Sequence, residues 1–91
     1  MYLHIGKDYI VKNNEIIGIF NINYVKNTKE YKAMYNSLDE SGDIIKVSDS
    51  KAKAFILTEN QGKRKAYITN IGVNTISKRL SQTWESIFSL K

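Results

Sequence analysis

The chain has 91 residues, of which 42% are hydrophobic and 25% charged, with neither cysteine nor proline. A length of this order supports one domain that buries roughly 60 to 65% of the surface its unfolded chain exposes, and the missing residue types exclude disulfide scaffolds, thiolate chemistry and proline-rich ligands or linkers. The net charge of +5 is unevenly spread: Met1 to Ile45 carries five lysines against six carboxylates, whereas Lys46 to Lys91 carries nine Lys/Arg against three. A positive surplus gathered in half of a small domain attracts polyanions, nucleic acid foremost.

The opening Met1-Tyr2-Leu3-His4-Ile5 has no basic region followed by a long apolar run, and no stretch approaches the ~18 apolar residues of a membrane span. The expectation is a soluble cytoplasmic protein. Tyr2 to Ile5 and Tyr9 to Lys12 read as short strands about a Gly6-Lys7-Asp8 turn, and Asn13-Asn14 turns the chain into Ile16 to Ile22. That third run is apolar on both alternating faces, the pattern of a covered, central strand in an antiparallel sheet.

After Tyr24 the period changes. Tyr31, Met34, Tyr35 and Leu38 recur at helical spacing, Asn27 and Glu30 have the separation of a capping box, and Ser41-Gly42 supplies a stop, so a helix is predicted from about Thr28 to Asp39. Strands return at Ile44 to Val47, Ala52 to Thr58 and Lys65 to Asn70, the last two joined by the turn signal Asn60-Gln61-Gly62-Lys63. Ala54-Phe55-Ile56-Leu57 is continuous rather than alternating, which places it inside a sheet. Ile76, Leu80, Trp84, Ile87 and Phe88 then mark a closing helix capped by Asn74 or Thr75, with a break near Ser81 as an option. The fold class is α+β: a small single domain over residues 1–91, an antiparallel sheet with an amphipathic helix inserted between strands and a C-terminal helix.

Catalytic constellations are missing from the pattern. The single histidine, His4, has no cysteine partner and falls in a strand, where a structural role outweighs a catalytic one. The scattered glycines match neither a dinucleotide fingerprint nor a P-loop. Asp39, Glu40 and Asp43 cluster after the first helix but lack the order of a calcium loop, so they read as a solvated turn. No metal, no cofactor and no enzymatic activity are expected.

Basic residues carry the functional signal. Lys51 and Lys53 alternate onto one side of a strand entry beside the small Ala52 and Ala54, which would let a phosphate backbone approach closely. Lys63, Arg64 and Lys65 sit at the hairpin, and Lys78 with Arg79 on the last helix would complete a basic face. Only two arginines are present, few for reading base edges. Six tyrosines and Trp84 could stack on unpaired bases, although Tyr31, Tyr35 and Trp84 have core spacing. Trp84, Ile87 and Phe88 crowd the chain end, the expected place for a second subunit to pack.

The segments Leu3-His4-Ile5-Gly6, Tyr9-Ile10-Val11 and Asn14 to Asn21 resemble the opening of the extracellular-matrix regulator family Rem, most closely its RemB branch. Lys51 to Leu57, Ala66 to Thr69 and Ile76-Ser77-Lys78-Arg79-Leu80 are similar to the family's basic segment, following hairpin and closing helix start, so that the likeness runs from about residue 3 to residue 80. The resemblance implies a cytoplasmic transcription regulator of biofilm-matrix genes that binds double-stranded DNA as a ring-like homo-oligomer, with Lys51 and Lys53 at DNA-contacting positions. Two positions depart from the RemA pattern: Glu15 and Ser50 stand where those members have arginines. A carboxylate repels phosphate, which keeps open the alternative of a protein-interaction or scaffolding module that binds a protein partner instead of DNA.

Overall fold

The computed structural model describes the backbone through residue 88 and side chains through residue 82. Strands β1 (Tyr2–Gly6) and β2 (Tyr9–Lys12) form an antiparallel hairpin, and a single 3₁₀ turn at Asn13–Glu15 leads to β3 (Ile16–Asn21). A one-turn helix α1 (Ile22–Val25), helix α2 (Lys29–Glu40), β4 (Ile44–Lys46), β5 (Ala54–Asn60), β6 (Lys63–Thr69) and α3 (Val73–Phe88) complete the order. The main sheet runs β3-β5-β6-β4, with the N-terminal hairpin as a separate two-stranded sheet. The α+β class expected from sequence holds.

Three layers result. Leu38 of α2, with Tyr31, Met34 and Tyr35, covers Phe55, Leu57, Ala66 and Ile68 on one face of the main sheet. On the opposite face Leu3, Ile5 and Val11 of the hairpin and Ile76 of α3 enclose Ile56 and Val47. Strand β5 is thus apolar without alternation because each of its faces meets a different layer: Ala54 through Thr58 are all buried. The tyrosine stripe is core, with the Tyr31 ring edge-on to Phe55 at a centroid distance of 5.1 Å.

Several sequence expectations are revised. Strand β3 lies at an edge of the sheet, not at its centre, and none of its residues is buried. A bulge between Ile16 and Gly18 also breaks its alternation, so Ile16 packs with Ile19 on the hairpin face while Phe20 packs on the α2 face. The strand ends at Asn21, whose side chain accepts from the Asn23 amide at 3.0 Å and turns the chain into α1. The sheet is mixed: β4 pairs in parallel with β6, because β5 already has β3 and β6 on its two edges.

The α2 cap is Thr28 rather than Asn27, its Oγ1 accepting from Tyr31 N at 3.2 Å, which moves Glu30 out of the reciprocal capping position. Helix α3 starts at Val73, ahead of the expected caps, and continues unbroken past Ser81. The β5–β6 turn is as expected, with Gln61 and Gly62 at φ +53° and +79°, the two positive values that a two-residue hairpin of this twist requires.

The layers are tied together at one buried point. Thr69 Oγ1 donates to Ile5 O at 2.7 Å and accepts from Ile71 N at 3.1 Å, joining β1, β6 and the entry to α3. Gly6 stands beside it at φ +131°, and a Cβ there would lie 2.9 Å from Val47 Cγ1 and 3.0 Å from Thr69 Oγ1, so only glycine fits. Thr69→Val, which keeps the shape and removes the hydroxyl, should destabilise the fold by about 1 to 3 kcal/mol, the cost of leaving a buried acceptor unpaired; urea unfolding followed by circular dichroism measures it.

Candidate nucleic-acid interface

The basic residues separate into two grooves at opposite ends of β5, roughly 20 Å apart for a strand of this length. The first surrounds the start of β5. Its segment is pinned by three backbone bonds: Val47 N donates to Ile68 O at 2.9 Å, Lys53 N to Thr69 O at 2.9 Å, and Ile22 N to Lys53 O at 3.1 Å. Ser48 Oγ accepts from Ser50 N at 3.1 Å and shapes the loop between. Ala52 is drawn into the α2 core, while Lys51 and Lys53 on either side of it stay exposed.

These two lysines line a groove of ≈ 260 Å³ with Asn21, Asn23, Gly72, Val73 and Asn74. No carboxylate lines it, and among the described residues neither lysine forms an ion pair. The N-terminus of α3 opens into the same space, adding backbone N–H groups without intrahelical partners and the positive end of a four-turn helix. Lysine ammonium groups, amide side chains and a helix N-terminus together favour a phosphate oxygen. Sequence reasoning located the lysines but not Asn21, Asn23 or the helix end; the one local signal was the pair of asparagines that interrupts the apolar run after Phe20.

The second groove, ≈ 430 Å³, lies at the hairpin end and includes Lys63, Lys65, Glu15, Thr58 and Tyr67. Part of its charge is answered. Lys63 Nζ is 3.8 Å from the Asp43 carboxylate, Lys65 shares the groove with Glu15, and Arg64, on the other side of β6, donates from Nε to Glu59 at 3.0 Å. Exposed pairs of this kind contribute little to stability, yet they cancel the local field that a polyanion would meet.

Lys78 is exposed on α3. Arg79, partly buried on the same helix, donates from Nη1 to His4 O at 2.9 Å and so fastens α3 to β1. His4 itself is hydrogen-bonded through Nε2 to the Lys7 carbonyl, inside the hairpin turn. Neither Lys78 nor Arg79 lines the two grooves. The expected oligomer contacts Trp84, Ile87 and Phe88 lie outside the residues whose side chains are described.

The described residues thus form a three-layer α+β domain with a lysine groove that no carboxylate lines. The sequence places it further: residues 2–80 match the RemA-like family, described as extracellular matrix regulatory protein A-like, and the chain belongs to that family. No curated protein matches it. No helix among the described residues is long and apolar enough to cross a membrane.

The Tyr67 phenol has its pKa raised, first by burial and then by the Glu15 carboxylate and Tyr9. Removing the Glu15 charge stabilises the phenolate, so Glu15→Gln should lower the Tyr67 pKa while leaving burial in place. An alkaline titration of ¹³C-labelled tyrosine ring signals by NMR checks this, and an unchanged Tyr67 curve would separate the two groups.

Proposed function

We propose that this extracellular-matrix regulatory family member is a DNA-binding transcription regulator that grips duplex DNA through phosphates as a homo-oligomer. The supporting observation is the groove of Lys51 and Lys53: both lysines are exposed, no carboxylate shares the groove, and an α-helix N-terminus opens into it. Lys63, Arg64 and Lys65 contribute less on this reading, since each has an acidic neighbour. Lys78 supplies a further exposed charge, and Arg79 acts chiefly through its bond to β1.

One groove offers few phosphate contacts, which gives weak binding for a single copy. Repeating the groove in an oligomer converts later contacts into intramolecular ones and multiplies affinity without base readout. Affinity then depends on the number of grooves that reach one duplex. The cytoplasm is the compartment this function requires.

The alternative, a module that docks a protein partner, draws support from Glu15 and from the exposed Tyr2, Ile10 and Tyr24. The two readings separate in one titration. Lys51→Glu with Lys53→Glu should lower duplex affinity at least tenfold and flatten the dependence of log K on log salt, whereas Lys63→Glu with Lys65→Glu should have the smaller effect. Fluorescence anisotropy with a random-sequence duplex across a salt series measures both. Wild-type protein that fails to bind at low salt would leave the protein-partner reading.

A further inference from the structure

The groove at the hairpin end of β5 places two opposite charges across a polar floor. Buried Thr58 and half-buried Tyr67 form that floor, Glu15 from the turn before β3 stands on one side, and Lys65 of β6 stands on the other. Ile16 pairs with Thr58 and Thr58 with Lys65, so β5 lies between the two charged residues. Two strand spacings set their backbones about 10 Å apart. Alternation along β6 keeps Lys65 and Tyr67 on this face and sends Arg64 to the other.

Neither charge is used within the chain. Among the described residues Glu15 and Lys65 form no ion pair and no side-chain hydrogen bond, whereas Lys63 is held by Asp43 at 3.8 Å. The Thr58 hydroxyl is already committed, donating to Lys65 O at 3.1 Å. Glu15 is half-buried, which removes part of its hydration without supplying a partner in return. Its carboxylate acts on the Tyr67 phenol, so it lies against the floor rather than out in solvent.

We propose that this groove is a binding site for a free α-amino acid with a neutral polar side chain, its ammonium on the Glu15 carboxylate and its carboxylate on the Lys65 ammonium. A simple anion entering the groove meets Glu15, and a simple cation meets Lys65, so a single charge of either sign gains one contact and is opposed by the other. A zwitterion satisfies both. Two charge-assisted contacts of about 2.8 Å each, with roughly 3 Å between the ammonium and carboxylate of an α-amino acid, span about the distance between the two walls. The Asn60 and Gln61 amides line the turn end, where they offer donors and acceptors to an amide or hydroxyl side chain. The volume of ≈ 430 Å³ falls in the range of small-ligand clefts. This site shares no residue with the Lys51 and Lys53 groove, so it goes beyond the duplex-binding reading and does not draw on it.

The test is a titration of the ¹⁵N-labelled full chain with L-glutamine, followed by NMR. Saturable shifts in the millimolar range or below should centre on the amides of Glu15, Thr58, Lys65 and Tyr67. N-acetyl-L-glutamine, which lacks the ammonium, and L-glutamine α-amide, which lacks the carboxylate, should each bind at least tenfold more weakly. Glu15→Gln and Lys65→Gln should each cost at least tenfold, and the exchange Glu15→Lys with Lys65→Glu should recover binding, all with an unchanged circular dichroism spectrum. Absence of saturable shifts overturns the proposal, as does a centre of shifts elsewhere in the protein. Equal binding of either single-charge analogue also overturns it, because the groove would then be reading one charge only.

Discussion

Burial of β5 on both faces is the constraint on which the remaining architecture depends. Phe55 and Leu57 require a cover on one side and Ile56 requires one on the other, and neither α2 nor the N-terminal hairpin could satisfy both. A sheet with one wet face would leave several large side chains in water, each at a cost of about 1.5 to 3 kcal/mol. The chain therefore builds three layers from 91 residues.

The second constraint is the seam between the hairpin and the main sheet. No strand pairing crosses it, so the β1–β2 unit is held by side-chain packing and by a few directed bonds: Thr69 to Ile5, and Arg79 to His4. These bonds orient α3, whose first turn forms a wall of the lysine groove. A residue that looks functional by charge, Arg79, thus shapes the candidate interface through the scaffold. The bond to His4 O is a scaffold role that its residue type alone did not suggest.

Features that depend on near neighbours were legible in the sequence. The stripe Tyr31, Met34, Tyr35 and Leu38 announced α2, the continuous run at Ala54 announced a strand covered twice, and Gln61-Gly62 announced a tight hairpin. Strand order was not legible, because β3 has the composition of a central strand and an edge position follows only from which partners β5 accepts. The bulge at Ile17 was hidden for a similar reason: one extra residue in an apolar run leaves composition unchanged but reverses the facing of Ile16. At the site, alternation about Ala52 identified Lys51 and Lys53, while Asn21, Asn23 and the start of α3 come from segments that only the fold brings near.

The two grooves show why a count of basic residues is a weak guide to local charge. Lys63, Arg64 and Lys65 make the densest basic run in the chain, yet β alternation sends Arg64 to Glu59 and leaves the lysines among Asp43 and Glu15. Lys51 and Lys53 are only two charges, but Asn21, Asn23 and a helix N-terminus surround them with hydrogen-bond donors and no competing anion. The field that a phosphate meets is the sum over neighbours, and at short range one adjacent carboxylate cancels one ammonium. Glu15 belongs to this balance: placed at the hairpin end, it discounts one groove and leaves the other, at the far end of β5, with its charge intact.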